Sequence, residues 1–204
     1  MKKIIALVGT NSTHSTNRDL LVFIKNHFNQ DAHIELAEII DLPLFNKPSD
    51  KTLPAVVQNL ADKIEASDGV IISTPEYDHS VTASLLNALS WLSYFNYPFV
   101  DKPVMITGAS YGTLGSSRAL SHLRQVLNAP ELKARIMPSS EFLLSHSLQA
   151  FDEDGTLKDQ DKVNELESIF KEFLIFMDIN KELIVMHEEN LIKVRNYSWE
   201  DEVI

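Results

Sequence analysis

The chain contains no cysteine, which excludes disulfides, thiolate metal sites and a cysteine nucleophile. That absence leaves the compartment open, because a chain without thiols suits reducing and oxidising surroundings alike. Positive charge is scarce too: 18 Lys plus Arg face 29 Asp plus Glu, for a formal net charge of −11. No Lys/Arg cluster interrupts that balance, so the basic face of a nucleic-acid-binding protein is missing and no such partner is expected. Nor does any apolar run approach the ~20 residues a membrane-spanning helix needs. Met1-Lys2-Lys3 precedes a short apolar run that ends at Gly9-Thr10-Asn11 without a small-residue cleavage site. A buried first strand is therefore expected in place of a signal peptide, and a cytoplasmic chain with no membrane partner. The 204 residues, 44% apolar and 23% charged, make an ordinary chain of one core's size.

Strand-like and helix-like segments alternate along it. Residues 3–8 and 69–74 are short, continuous, β-branched runs of the kind buried strands have. Residues 33–40 and 103–107 give two further strands and 134–138 a weaker fifth. Between them, apolar residues recur at helical spacing: Leu20, Leu21, Ile24 and Phe28 within 15–29, then Val57, Leu60, Ala61 and Ile64 after Pro54. Pro54 suits a first helical residue. Helices are also expected over 81–92, 116–127 and 159–178, with Val163, Leu166, Phe170, Phe173 and Met177 turned inward in the last. Five strands alternating with five helices predict an α/β fold with a parallel sheet covered on both faces. Ligands in such sheets sit beyond the carboxyl ends of the strands, so the loops after strands one, three and four are the ones that matter.

The first of these loops reads Gly9-Thr10-Asn11-Ser12-Thr13-His14-Ser15-Thr16-Asn17-Arg18, with five Ser or Thr in ten residues. Hydroxyls and backbone amides at the positive end of a helix suit a phosphate monoester. Ser15 alone would also be explained as an N-cap, but that leaves Thr10, Ser12, Thr13 and Thr16 unaccounted for. The loop lacks lysine and matches neither G-x-G-x-x-G nor G-x-x-x-x-G-K-[ST], which argues against a dinucleotide pyrophosphate or a nucleoside triphosphate there. The second loop, Thr74-Pro75-Glu76-Tyr77-Asp78-His79-Ser80, offers a proline, an aromatic and polar groups to wall a planar ligand. Glu76 and Asp78 are also open to reading as a carboxylate pair or as a solvated turn. The third loop, Gly108–Gly115, carries three glycines that allow close backbone approach. It lacks the G-x-S-x-G of a serine-hydrolase elbow. Asp152-Glu153-Asp154-Gly155 has the wrong spacing for a calcium loop, and the histidines have no H-x-x-x-H pair. No metal is expected.

Taken together, the three loops resemble the NADPH-dependent FMN reductase family, the flavodoxin-like group of azoreductases, chromate reductases and quinone reductases. The family's G-S-x-R-x-x-S-x-N-R is similar to residues 9–18. Its P-E-Y-N, followed by a helix ending N-A-x-x-W, is similar to Pro75-Glu76-Tyr77-Asp78 and Asn87-Ala88-Leu89-Ser90-Trp91. The glycine-rich loop and then Leu123-Arg124 match in kind. The resemblance covers roughly the first 175 residues, and three motifs in order make it specific. Two residues depart from the pattern. Ser12 stands where the family has Arg, removing a charge-assisted phosphate contact that His14 or Arg18 would have to replace. Asp78 stands in place of Asn, which would disfavour flavin reduction if its side chain pointed at the ring.

The resemblance implies a flavodoxin-like three-layer sandwich with strand order 2-1-3-4-5, an FMN-binding domain over residues 1–178 and an extension over 179–204. It implies FMN bound by Thr10, Ser12, Ser15, Thr16 and Asn17 at the phosphate, by Pro75, Glu76, Tyr77 and Asp78 under the isoalloxazine, and by Ser110, Tyr111 and Gly112 at the other edge. The implied reaction is ping-pong: hydride from NAD(P)H to FMN, then electrons to a quinone, azo, flavin or metal acceptor, with no catalytic side chain of its own. Arg118 and Arg124 are placed either to meet a 2′-phosphate of NADPH or to form surface salt bridges. The aromatic cluster Trp91, Tyr94, Phe95, Tyr97 and Phe99 suggests an interface, and the family implies a homodimer, with a tetramer as the larger possibility. The extension, with Leu183, Leu191-Ile192 and Trp199, packs on the domain or on a partner. A flavodoxin-like electron carrier, reduced by a partner protein, and a binding protein that has lost its flavin are the competing readings.

Overall fold

The computed structural model describes residues 1–196, and the side chains of all but Ile184 and Val185 among them. Trp199 and the acidic residues around it lie outside the described residues. The strands are β1 (Lys2–Val8), β2 (Ala32–Ala37), β3 (Gly69–Ser73), β4 (Pro103–Ala109), β5 (Arg135–Ile136) and β6 (Phe142–Leu144). The helices are α1 (Thr16–His27), α2 (Ala55–Glu65), α3 (Ala83–Leu92), α4 (Ser117–Leu127), α5 (Gln160–Lys181) and α6 (His187–Arg195). The sheet runs β2-β1-β3-β4-β5 with every pairing parallel, which is the flavodoxin-like order. Ile4 sits between Ile34 and Gly69, and Val104 between Val70 and Ile136.

The continuous apolar strands follow from burial on both faces. Ile5, Leu7, Val70, Ile72, Val104 and Ile106 point to one side, where the apolar stripes of α2, α3 and α4 cover them. Ile4, Ala6, Val8, Ile71 and Met105 point to the other, against α1 and α5. Phe28 and Phe170 stack there with centroids 3.9 Å apart and nearly parallel rings. Gly69 packs closely on that side, where a Cβ would come within 2.6 Å of Met177 Sδ.

Three departures from the sequence reading have local causes. Pro54 precedes α2 as its N-cap, since its ψ of 142° is extended. The fifth strand is split. Arg135–Ile136 pairs with the start of β4, the chain leaves at Pro138 and turns through Ser139 at φ 56°, and β6 then pairs with Thr107–Ala109. The aromatic cluster is largely internal: Trp91 and Phe99 are buried in the chain's own core. Trp91 Nε1 and Asn87 Nδ2 both donate to the Pro43 carbonyl, Tyr94 donates to that of Pro48, and Phe45 packs edge-on against Trp91 and Tyr94. The cluster therefore holds the loop between β2 and α2, and Phe95 is its exposed member.

The last helices dock at the edge of the sheet where the strands begin. Asp101, just before β4, accepts from Arg135 at 2.8 Å and from Asn190 of α6 at 2.8 Å, with His187 3.3 Å away. Nearby, Lys102 donates to the carbonyls of Glu65 and Ser67 at the end of α2, and burial lowers its pKa to about 8. No helix among the described residues is long and apolar enough to cross a membrane.

Phe170→Ala should cost about 3–5 kcal/mol of stability by opening a cavity between α1 and α5. The check is a lower urea midpoint with an unchanged m-value; a loss under about 1 kcal/mol would contradict the tight packing.

Candidate functional site

The loops after β1, β3 and β4 meet at the carboxyl edge of the sheet around a cavity of about 550 Å³. The first begins with a close approach. Gly9 N–H donates to Ser73 O at 2.8 Å, and a Cβ at position 9 would lie 2.6 Å from that oxygen. Thr10 is buried beneath the loop, its hydroxyl accepting from Ser12 N–H at 3.2 Å. Ser12 Oγ donates to His14 O at 2.8 Å, and Ser15 caps α1 through the Arg18 amide. Thr16 Oγ1 lies 2.8 Å from Ser147 Oγ. Arg18 reaches back to the carbonyls of Ser12 at 2.8 Å and Thr13 at 3.4 Å, while Glu38 holds the rest of its guanidinium at 2.7 and 2.9 Å.

Asn17 joins the start of α1 to the ends of β3 and β4. Its Oδ1 accepts from Ala109 N–H at 2.8 Å and Ser73 Oγ at 2.9 Å, and its Nδ2 donates to Ala109 O at 2.8 Å. The residue is buried and both polar atoms of its amide are bonded to protein. The side chain is thus a clamp under the cavity floor.

In the second loop Tyr77 and Ser80 exchange backbone hydrogen bonds of 3.1 and 2.9 Å around Asp78 and His79. Both central residues have positive φ, 50° and 64°, the conformation of a tight two-residue hairpin turn. Asp78 tolerates it better than most side chains would. The turn explains why Asp78 is exposed at the loop tip and absent from the cavity wall.

Glu76 crosses from this loop to α4. Its Oε1 accepts from Arg118 Nε at 2.6 Å, with Nη2 also 2.6 Å away, and its Oε2 accepts from the Arg118 and Ala119 amides at 3.0 and 3.3 Å. Ser116, the residue in the N-cap position, has φ 71° and makes no capping bond; its hydroxyl donates to Ala109 O instead. Glu76 does the capping from a distance. Burial on its own would raise the Glu76 carboxyl pKa, but the Arg118 guanidinium and the two amides outweigh it and hold the group below its usual range.

The third loop is laced to β6 and the turn beyond it. Ser110 N–H donates to Leu144 O, His146 N–H to Gly112 O and Ser147 N–H to Ser110 O, each at 3.0 Å. Gly115 has φ 55°, and a Cβ there would strike Leu143 at 2.8 Å.

Ser12, Ser15, Thr16, Asn17, Pro75, Glu76, Tyr77, Ser110, Tyr111 and Gly112 all line the cavity, whereas Thr10 and Asp78 do not. Sequence reasoning left out Ala109, Thr113 and Leu114, whose loop positions carry no chemical signature. It also left out β6 and Ser147, where a three-residue apolar strand is too short for its pattern to register. Arg118 lines the cavity but is paired with Glu76. Arg124 is held outside it by Glu141 at 2.7 Å and by Met137 O at 3.1 Å. The result is a slot with hydroxyls and a helix N-terminus at one end, Pro75 along its wall, and two half-exposed tyrosines, Tyr77 and Tyr111, on facing loops.

Comparison with known proteins shows the family and the fold. Residues 2–149 match the model of the NADPH-dependent FMN reductase family. The chain is 52% identical over 197 residues to the NADH:(hydroxy)cinnamate reductase subunit CrdA of Vibrio ruber, covering 96% of each. It is 36% identical over 181 residues to the NADH-dependent flavin reductase subunit 2 of Lactobacillus johnsonii, covering 86% of this chain and 97% of that one. Among solved structures, the flavoenzyme NAD(P)H:(acceptor) oxidoreductase FerB of Paracoccus denitrificans superimposes with a TM-score of 0.80 at 26% identity, covering 88% of this chain and 99% of that one.

Two outcomes test the site's construction. Asn17→Ala strands a buried N–H and a hydroxyl and takes one of two donors from the Ala109 carbonyl, so a loss of about 2–4 kcal/mol is expected in chemical denaturation. Glu76→Gln tests the cap through pH. The folded pKa of Glu76 lies below its unfolded value, so its contribution is present above the ordinary glutamate pKa and disappears as pH falls through the folded one. The stability gap between wild type and Glu76→Gln should therefore be present at about pH 7 and close below about pH 4; a gap independent of pH would refute the assignment.

Proposed function

Because the chain belongs to the NADPH-dependent FMN reductase family, we propose that this cavity holds FMN, its phosphate among Ser12, Ser15 and Thr16 and its ring system between Pro75–Tyr77 and Ser110–Gly112. The activity is NAD(P)H-dependent reduction of flavin or quinone-type acceptors. When bound, FMN supplies the chemistry, accepting a hydride and passing electrons on; the chain's residues bind, orient and shield.

The observation that carries this reading is the convergence of all three loops on one cavity whose charged groups are already paired. Its volume lies in the range of cofactor sites, about 300–1,000 Å³. Glu76 is ionised but neutralised by Arg118, so no bare carboxylate repels a phosphate. Ser15 Oγ accepts from an amide and keeps its proton to donate. The α1 amides ahead of Arg18 have no intrahelical acceptor, as at any helix start. Thr10 and Asp78 fall out of the proposed contact set by their placement.

The same pairing bears on the hydride donor. Arg118 is held by Glu76 and Arg124 by Glu141, which leaves neither guanidinium uncommitted for a 2′-phosphate. We propose that NADH is preferred, the donor printed in the names of CrdA and flavin reductase subunit 2. Both of those relatives are named as subunits of larger enzymes. We propose the same setting for this chain, on a homodimeric core in the cytoplasm, with residues 1–178 as the flavin-binding unit and 179–204 as an extension.

The test is the visible spectrum of the purified protein and its response to each nucleotide without oxygen. A flavin band bleached by NADH about tenfold faster than by NADPH is expected, as for a charged group left without a partner. A bound flavin that neither nucleotide bleaches would favour the electron carrier, and no flavin uptake would end the reading.

A further inference from the structure

We propose that His14 supplies the positive charge that holds the flavin phosphate, so that FMN affinity rises as this imidazole takes a proton. The inference rests on the FMN reading of the cavity and assigns its charge balance. Among the described residues that line the cavity, His14 and Arg118 are the only basic side chains. Arg118 makes two contacts of 2.6 Å to Glu76 and so brings no net charge. Arg18, the basic residue next in the loop, turns away from the cavity and spends its guanidinium on Glu38 and the carbonyls of Ser12 and Thr13.

The hydroxyls do not make up the difference. Ser12 Oγ has given its proton to His14 O, so it presents lone pairs to an anion. Thr16 shares one hydrogen bond with Ser147. That leaves Ser15 and the helix amides facing a group of roughly two negative charges in a chain of net charge −11. The Ser12–His14 bond also fixes the backbone from which the imidazole projects, two residues from one serine of the cavity wall and one from the other.

The other charged or titratable groups around the imidazole are already assigned. On α1 they are Arg18 and Asp19; after β2, Glu38 paired with Arg18; on the second loop, Glu76 with Arg118, His79 3.8 Å from Glu76, and Asp78 at the loop tip; on the third loop, Tyr111; and after β6, His146, whose amide is tied to Gly112 O. None is an uncommitted cation on the cavity wall. A bound phosphate favours the imidazolium form, and by linkage the imidazolium form binds the phosphate more tightly. Imidazoles in general take up charge between about pH 8 and about pH 6.5, a range in which a phosphate monoester stays largely dianionic. Affinity should climb through that window.

The experiment is titration of apoprotein with FMN and, separately, riboflavin, followed by quenching of flavin fluorescence at both ends of that window. Wild type should bind FMN about fivefold more tightly at the lower pH, the scale of one partly exposed charge pair. His14→Gln should lose the rise and bind FMN about fivefold more weakly at the lower pH, and His14→Arg should bind tightly at both. Riboflavin affinity should be level in all three. A His14→Gln protein that keeps the wild-type affinity and pH response, while Ser15→Ala weakens FMN alone, overturns the role of His14 and leaves the phosphate in this loop. If wild type holds riboflavin as tightly as FMN, and Ser15→Ala changes nothing, the phosphate assignment itself fails.

Discussion

A single buried amide governs how this molecule is put together at its working edge. Asn17 is the second residue of α1, yet its three hydrogen bonds run to the last residues of β3 and β4. An amide has one acceptor group and one donor group, and here both are spent on the backbone of Ala109 and the hydroxyl of Ser73. The start of one helix and the ends of two strands are thereby fixed to one another. The three loops spring from those fixed points, so the width of the slot is set by a group that need not touch anything bound in it. Such polar clamps are costly when half satisfied and specific when bonded through; here both polar atoms of the amide are bonded.

Around the slot, His14 apart, charge is handled by pairing before any ligand arrives. Glu38 fixes Arg18, which in turn holds the loop carbonyls; Glu76 fixes Arg118 and closes the N-terminus of α4. Each pair joins segments distant in sequence, so the ions act as staples between loops more than as ligands. Preorganisation of this kind suits a site whose cofactor brings its own reactivity and asks the protein for position and field.

Much of the architecture was legible because buried parallel strands announce themselves. Residues 3–8, 69–74 and 103–107 have no polar face to hide, and the intervening helices keep their stripes. The fifth strand was legible only in its first half: 134–138 holds β5, but a proline, a left-handed serine and a three-residue strand left no pattern that announces β6. The loops declared hydroxyls and glycines, but not their use. Ser12, Asn17 and Glu76 belong to the cavity wall, yet their side chains are committed to protein groups that lie far off in the sequence or were not foreseeable locally. Asp78 was open to reading as chemistry or as a turn, and only the backbone shows that positions 78 and 79 both have positive φ. The aromatic run had a use within the chain that its own sequence did not show. Five rings in nine residues read as a surface, until Pro43 and Phe45 of a distant loop came to lie against them.

The broken edge beside β4 also decides how the sheet meets other chains. An intact edge strand exposes a row of unpaired amides and carbonyls that another strand can extend. Here the row is cut after two residues, bent away at Pro138 and resumed for three, with its returning half already tied to the loop at Ser110. A foreign strand would find no continuous ladder to join, so this side of the molecule is closed to edge-to-edge polymerisation. Assembly on that flank is left to helical and loop surfaces, where side chains rather than backbone choose the partner.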